Sequence, residues 1–475
     1  MSLLTSLARL RALEEGLAQP VATVRHCHLS ARPMVFIPLK LSGEAAAPLA
    51  AMLGTGPARP RLLVVTQPRN RDLRFAWAAE LAGVLLPYLE GFLAGTETVE
   101  RKNADPYERA LDAPQLIVPN PAGVSFTRLL GRSTRFRRAD GPYPVPESVP
   151  LLGRWLTYLA ERAAYPGSSL MLAATDELGR HWASGQSSLE DANLAALLGW
   201  ITTGPSDEAE DPLVWPPAGP ATDPGFDAEV LAPAIESESP ERITEALRTQ
   251  LEPTWRLMWQ AIDLLAGLPE GPSAAQRWEQ DRGSFSGMAA HVAEGAPPQP
   301  RRDGAIGAAA KLARMERAQA AYDVQRAYDD PLVMAEYRLT GEAFAGEVVE
   351  TDPDNTEGEG RSRKLRPLVV VKTDDPVRLA PGTSLGTPQR RGQGAELVSA
   401  GEGLVTLKIT KGMGRGKTAT PGAVPDVGER VCYTSLTDDF QGSPHLPDSE
   451  ATPWTHGGPP QEYVPDDEDA QEEWS

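Results

Sequence analysis

The stretch GMGRGKT at 412–418 resembles a nucleotide-binding motif more closely than any other part of this sequence. A phosphate-binding loop has the pattern GxxxxGK[ST], in which four residues wrap the phosphates before a helix begins. Counting back from Gly416, the pattern requires its first glycine at position 411, which is a lysine in this chain. Gly412 lies one position too late. Prolines and a strand-like pattern follow instead of a helix. We therefore predict a basic hairpin between two strands, and no cofactor. Its bases, which could still meet phosphates, are Lys408, Lys411, Arg415 and Lys417.

A second basic stretch, SFTRLLGRSTRFRR at 125–138, carries aromatic residues among its arginines. Guanidinium groups bind phosphate in a bidentate manner and aromatic rings stack on bases, so this stretch is a candidate nucleic-acid contact. The alternative is a helix and loop surface that is basic without binding a ligand. The arginines are Arg128, Arg132, Arg135, Arg137 and Arg138, and the aromatic residues are Phe126 and Phe136.

A third basic group lies just before a predicted strand and consists of Arg361, Arg363, Lys364 and Arg366. In a small barrel such a stretch commonly borders the binding face. The alternative is a solvated loop that keeps the strand soluble.

His26 and His28 flank Cys27 in the only spacing typical of a metal site. Alternate side chains of an extended segment point the same way, so the two imidazoles could share a metal. No further ligand lies close by in the sequence, and we expect a packed strand end and no metal. Motifs such as GxSxG, HExxH and CxxC are absent, which lowers support for the common hydrolase, ATPase and dehydrogenase classes. A nuclease with scattered acidic metal ligands in residues 1–200 stays open as an alternative.

Two segments hold the negative charge of the chain, whose formal net charge is −19. Residues 205–240 contain nine acids and residues 438–475 contain eleven, and neither segment has a Lys or Arg. Residues 361–437 carry thirteen Lys and Arg against six acids. A basic module followed by an acidic segment favours the binding of a polyanion or of a partner over small-molecule chemistry.

Composition indicates a soluble cytoplasmic protein of two to four domains. The chain has 475 residues, 41% of them hydrophobic, and only two cysteines, Cys27 and Cys432. No disulfide framework can be built from that pair, the N-terminus lacks a signal-peptide core, and no apolar run reaches the length of a membrane span. The abundance of Ala, Arg, Gly and Pro is typical of a high-GC bacterial proteome.

The elements needed to position these bases form a multidomain α+β arrangement. Residues 1–145 alternate between helix and strand patterns, with strands at 33–39, 61–67 and 115–119 and a helix over EAAAPLAAML (44–53), which predicts an α/β layer. Residues 146–300 are mainly helical, interrupted by an acidic, Pro-rich loop at 205–240. Residues 301–340 form a helical stalk.

Beyond Gly341 the pattern changes to short strands. Five β-rich runs separated by Gly-, Pro- and Asp-rich breaks predict a small basic β-barrel over 341–437. We expect residues 438–475 to form a disordered acidic tail, which could compete with phosphate for the barrel. Trp474 near its end offers an apolar anchor for a protein partner, and the alternative is a plain solubilising tail.

Residues 305–437 resemble the helical stalk and small β-barrel of superfamily 1 nucleic-acid helicases. The resemblance rests on the helices of 305–340, GEAFAGEVVE (341–350), RPLVVVKTDDP (366–376) and VGERVCYTSL (427–436), and it covers roughly 130 of 475 residues. No Walker A loop and no DExx box follow. The resemblance implies an accessory half that works beside a separate helicase-like ATPase.

These observations predict a non-catalytic accessory subunit that contacts nucleic acid through the barrel. The first alternative is the nuclease described above, and the second is a protein-binding scaffold. In the accessory-subunit hypothesis, residues 1–300 would be an α/β and helical interaction body.

Overall fold

The computed structural model is a mixed α+β protein with two compact units. It describes residues 2–45, 47–101, 104–204, 219–358, 363–414, 416, 418–437 and 445–447. The sheet unit comprises the described residues of Leu7–Pro20, Arg25–Met315 and Pro444–Ser475. The barrel unit comprises those of Met1–Ser6, Val21–Val24 and Glu316–Ser443.

The helices, in chain order, are α1 (Leu3–Glu15), α2 (Arg71–Glu90), α3 (Pro121–Thr134), α4 (Ser148–Ala163), α5 (Ala174–His181), α6 (Ser188–Asp191), α7 (Leu194–Thr202), α8 (Pro224–Phe226), α9 (Ala232–Glu236), α10 (Pro240–Ala266), α11 (Pro272–Ala293), α12 (Ala305–Asp329) and α13 (Pro331–Thr340). A π-helical turn, Asp227–Leu231, joins α8 to α9, and Pro388–Arg390 forms a 3₁₀ turn.

The strands are β1 (Gln19–Pro20), β2 (Met34–Lys40), β3 (Pro48–Gly54), β4 (Arg61–Val64), β5 (Thr96–Arg101), β6 (Ala104–Ala110), β7 (Leu116–Val118), β8 (Met171–Ala173), β9 (Trp182–Ala183), β10 (Ala343–Asp352), β11 (Thr356–Glu357), β12 (Lys364–Leu365), β13 (Leu368–Lys372), β14 (Ser384–Gly386), β15 (Gly394–Gly401), β16 (Leu404–Lys411) and β17 (Arg430–Thr434).

The sheet unit is built around a mixed sheet with the order β4-β3-β2-β7-β8. Strands β2, β3 and β4 form an antiparallel meander, while β7 and β8 run parallel to β2. One face is covered by apolar residues of α2, α3, α4 and α11, and the other by residues of α5, α7 and α10. Because both faces are buried, β2, β3, β7 and β8 are nearly continuous apolar runs without alternation, whereas the edge strand β4 begins with exposed Arg61.

Residues Pro48–Gly54 form strand β3, whereas we predicted a helix over EAAAPLAAML. Residues Pro48–Leu53 are buried without exception, since β3 lies between β2 and β4 in the middle of the sheet. A helix at the edge of a core would have needed a polar face, and PLAAML has none. A short apolar run cannot be assigned to helix or strand by periodicity alone, so the neighbouring strands decided its conformation.

The compact sheet unit also extends across the boundary predicted at residue 145. Helices α4 and α10 cover the sheet formed by residues 34–173, so the predicted helical region supplies the layers of one α/β/α arrangement. Within the predicted loop 205–240, residues Pro224–Glu236 are helical, because Asp223 caps α8 and Leu231 is buried. Ser239 caps the long helix α10, which begins at Pro240.

The predicted barrel is confirmed. Among the described residues, six strands close in the order β10-β13-β16-β15-β14-β17. Alternate residues of β16 point inward, and Val405, Leu407 and Ile409 are buried with Phe344 and Tyr433 in the barrel core. The structure differs from the predicted hairpin in one detail. The loop after β16 leads to β17, which is not a hydrogen-bonded neighbour of β16. The described residues 412–414, 416 and 418 therefore belong to a crossover loop and not to a hairpin.

Asp375 ties α13 to the barrel. Its carboxylate accepts hydrogen bonds from Arg338 Nε (2.6 Å), Arg338 Nη2 (3.0 Å) and the Ala345 amide (2.8 Å). Burial alone would raise the pKa of Asp375, but these hydrogen bonds and the charge of Arg338 lower it below its ordinary value. The lowered pKa means that the ionised carboxylate stabilises the folded barrel unit.

Asp375→Asn should therefore destabilise the barrel unit by about 1–3 kcal/mol at neutral pH, because a charge-assisted bidentate pair is lost. A folded-state pKa below that of the unfolded chain gives stability that is present above about pH 4 and is lost as the pH falls. The difference between wild type and variant should thus shrink in acid. Chemical denaturation at pH 7 and pH 3.5 measures it. Asp374→Asn, which removes an exposed neighbouring carboxylate, is the matched control, and an equal effect of both variants would contradict this role.

Candidate functional site

The two basic segments predicted around residues 363 and 410 meet at one end of the barrel. Strand β13 pairs with β16 so that Leu368 lies opposite Lys408. The Ile409 amide donates to the Pro367 carbonyl (2.8 Å), and Arg366 Nη1 donates to the Thr410 carbonyl (3.3 Å). The chain that leads into β13 and the last residues of β16 are therefore neighbours, although about forty residues separate them in sequence. We call this region the basic end of the barrel.

The solvent-exposed bases of the basic end are Arg363, Lys364 and Lys411. Arg363 Nε donates to Thr356 Oγ1 (2.7 Å) across the β11–β12 ribbon, which leaves the terminal guanidinium nitrogens exposed to solvent or to an anion. Arg361, Arg415 and Lys417 lie outside the described residues. The described bases alone place three positive charges on one end of the barrel.

Lys408 belongs to the same end but is already neutralised. Its Nζ lies 2.9 Å from Glu357 and 3.3 Å from Glu396, and its side chain is only 16% exposed. The hydrogen bond to Glu357, together with that to Glu396, raises the pKa of the Lys408 ammonium. A phosphate would have to compete with two carboxylates for this cation.

The barrel is not basic as a whole. Residues 341–360 contain seven acids and no Lys or Arg, and they offset the excess of seven bases in 361–437. The formal net charge of 341–437 is therefore zero, and the first strand of the barrel carries part of the compensating charge. Glu347 of β10, for example, lies opposite both Lys372 and Arg430. Attraction of a polyanion would have to be local to the basic end, because exposed charges beyond about 10 Å are screened at ordinary salt.

No family model, curated protein or solved structure matches the chain.

The second basic stretch, around α3, is largely part of the core. Arg135 and Arg137 are 4% and 6% exposed, and Phe126 and Phe136 are 4% and 2% exposed. Arg135 donates to the carbonyls of Gln299 (2.9 Å) and Pro300 (3.3 Å), and Arg137 donates to the Ser133 carbonyl (3.0 Å). These rings cannot stack on a base without unfolding, which corrects our prediction for them.

The remaining arginines of this stretch are placed differently. Arg128 is exposed and donates to the Ala160 carbonyl (3.3 Å), whereas Arg138 pairs with Asp140 (3.2 Å). Arg132 is exposed. The sequence signal that could have warned of burial is a pair of glycines, Gly131 of α3 and Gly153 of α4. A Cβ on Gly153 of α4 would lie 2.3 Å from the Arg135 amide, so the two segments approach too closely for a side chain between them.

The rings of His26 and His28 have different surroundings. His26 stacks on His181 at 5.6 Å, while His28 stacks on Trp278 at 4.3 Å and lies 3.2 Å from Glu270. Burial and the neighbouring Glu177 carboxylate raise the pKa of the Cys27 thiol, so it is a poor nucleophile. Within the described part of the chain, no group of three or more His, Cys, Asp or Glu residues could hold a metal ion. The nuclease alternative therefore stays a prediction without a located site.

Trp474 lies outside the described residues, and the partner contact predicted for it stays a prediction. None of the helices that the structure describes carries an apolar stretch sufficient to cross a membrane.

Arg135→Ala should destabilise the sheet unit by about 2–4 kcal/mol, since a buried guanidinium and its hydrogen bonds to the Gln299 and Pro300 carbonyls would be lost. Arg132→Ala removes an exposed arginine three residues earlier and should change the free energy of unfolding by about 0.5 kcal/mol or less. Thermal and chemical denaturation of the two full-length variants measures the difference. Equal stability of both variants would show that the buried contacts of Arg135 do not matter.

Proposed function

We propose that this protein is a non-catalytic accessory subunit that binds the phosphate backbone of nucleic acid through the basic end of its barrel. The observation that carries the proposal is the convergence of residues 363–366 and 408–411 on one end of a closed barrel. A separate helicase-like ATPase as its partner belongs to the same proposal and rests on the sequence resemblance alone.

The chemistry of the basic end favours backbone contacts over base readout. Arg363 supplies a planar guanidinium, which can hold a phosphate through two nitrogens, while Lys364 and Lys411 act as point charges. Contacts of this kind position a nucleic acid without reading its sequence. Because each neutralised phosphate releases counterions, such binding weakens as salt rises.

The surrounding acids make the binding local and weak. Glu357 and Glu396 hold Lys408, and the barrel as a whole has no net charge. A patch with only three exposed cations among these acids supports micromolar affinity at low salt, which is typical of sequence-independent contacts. An accessory subunit does not need a higher affinity, because a partner that also binds the nucleic acid would raise the effective concentration of the subunit there.

The double variant Lys364→Ala/Lys411→Ala should weaken binding of the full chain to a fluorescent oligonucleotide about tenfold at roughly 50 mM salt. The matched control is Lys372→Ala/Arg430→Ala, which removes two exposed bases at the other end of β13 and beside it. Fluorescence anisotropy with single-stranded and duplex oligonucleotides gives both affinities. Absence of binding by the wild type, or equal losses in the two double variants, would reject the basic end as the site.

Releasing Lys408 should have the opposite effect. Glu357→Gln/Glu396→Gln removes both carboxylates that hold its ammonium, so affinity for the same oligonucleotide should rise about threefold or more at about 50 mM salt. Glu342→Gln/Glu347→Gln is the control, because it makes the same change in net charge elsewhere on the barrel. If the control tightens binding as much as the test variant, the gain reflects total charge and not Lys408.

The protein-binding scaffold is a second candidate, favoured by an exposed row of leucines. Leu7, Leu10 and Leu13 of α1 are 47%, 52% and 60% exposed and recur at helical spacing. Large exposed apolar residues that cluster on one face mark interaction sites. Two results together would favour this candidate over the polyanion site. The protein would capture a partner equally well at low and high salt, and it would not bind the oligonucleotide.

A further inference from the structure

The long helix α10 carries a groove that none of the functions above uses. The groove has a volume of about 570 Å³ and is lined by Pro57 of the β3–β4 turn and by residues on one face of α10 between Trp255 and Gly267. Trp255 and Gly267 are twelve residues apart, so the groove runs for about 18 Å along the helix axis. Its volume is within the range of cavities that hold ligands, about 300–1,000 Å³.

The wall of the groove is aromatic and preformed. Trp255 is 3% exposed, and its Nε1–H donates to the Pro57 carbonyl at 2.9 Å, which fixes the turn against the helix. Trp259 packs edge-on against Trp255 with ring centroids 5.8 Å apart. The Trp259 Nε1–H is buried and has no acceptor among the described residues.

The lining of the groove carries one base and one acid, and two further arginines lie beside Pro57 in the sequence. Arg256 lines it, and exposed Arg59 and Arg61 belong to the turn and strand next to Pro57. Asp263 is the one acid in the lining. A groove with this composition favours an acidic segment that carries an aromatic side chain, since arginines attract carboxylates and tryptophans pack against a ring.

This chain contains such a segment. Residues 438–475 hold eleven acids and no Lys or Arg, and Trp474 directly follows Glu472 and Glu473. An extended chain advances about 3.3 Å per residue, so about six residues cover the 18 Å of the groove. Residues 470–475 have that length and contain one tryptophan and two acids.

We propose that residues 470–475 bind in cis to the α10 groove, with Trp474 against Trp255 and Trp259 and with Glu472 and Glu473 near Arg256. Such a contact can be weak and still be formed in most molecules. Tethering within one chain can give an effective concentration in the millimolar range, about 1 mM, so a segment whose own Kd is about 100 µM would occupy the groove roughly nine-tenths of the time. The proposal is independent of nucleic-acid binding by the barrel.

The test uses full-length protein and a fluorescein-labelled peptide with the sequence of residues 466–475. If the chain's own segment occupies the groove, the wild type should bind the peptide about tenfold more weakly than the full-length Trp474→Ala variant, whose groove is vacant. Fluorescence anisotropy at about 50 mM salt gives both values. Equal affinities of the two proteins, or no binding by the variant, would overturn the proposal.

The location is tested by charge reversal on α10 in the Trp474→Ala background. Arg256→Glu should weaken peptide binding about fivefold or more, while Arg242→Glu, an exposed arginine near the start of the same helix, should leave it unchanged within twofold. Both side chains are exposed, so neither variant should unfold the protein, and circular dichroism verifies this. If both reversals weaken binding equally, the peptide responds to net charge and the groove is not its site.

Discussion

The pairing of β13 with β16 is the constraint on which the proposed function depends. Backbone hydrogen bonds hold Leu368 opposite Lys408 and Pro367 against Ile409, and the inward residues of both strands are buried in the barrel core. A slip of one residue in this register would turn the core residues outward, so the register is fixed by hydrophobic burial. The apolar core therefore decides where the bases lie, although no base takes part in it.

Charge compensation limits what those bases can do. The acids of residues 341–360 cancel the excess positive charge of the rest of the barrel, and two carboxylates hold Lys408. Buried arginines such as Arg135 serve the fold by satisfying backbone carbonyls. The count of basic residues in a segment thus overstates the charge that a ligand meets, because salt bridges and burial remove part of it.

The barrel was predictable from the sequence because alternation of apolar and polar residues is a local signal, as in β16. The strand β3 was not, since its apolar residues Pro48–Leu53 allow helix or strand and only the neighbouring β2 and β4 decide between them. The basic segments were visible in the sequence, but their meeting at one barrel end and the pairing of Lys408 with Glu357 and Glu396 depend on strand order. The α10 groove could not be predicted from the sequence either. Trp255 and Trp259 have the helical spacing of core residues, so their pattern indicates a buried face and not a groove.

The salt dependence of oligonucleotide binding by the full chain tests the central claim most directly. Each phosphate contact contributes about −0.7 to the slope of log K against log salt for a single strand, so the three exposed bases of the basic end predict a slope of about −2, and about −4 if the three neighbouring bases outside the described residues also take part. A linear plot with a slope in that range, measured by anisotropy between about 25 and 200 mM salt, is the predicted result. A flat plot, or no binding at the lowest salt, would contradict the account.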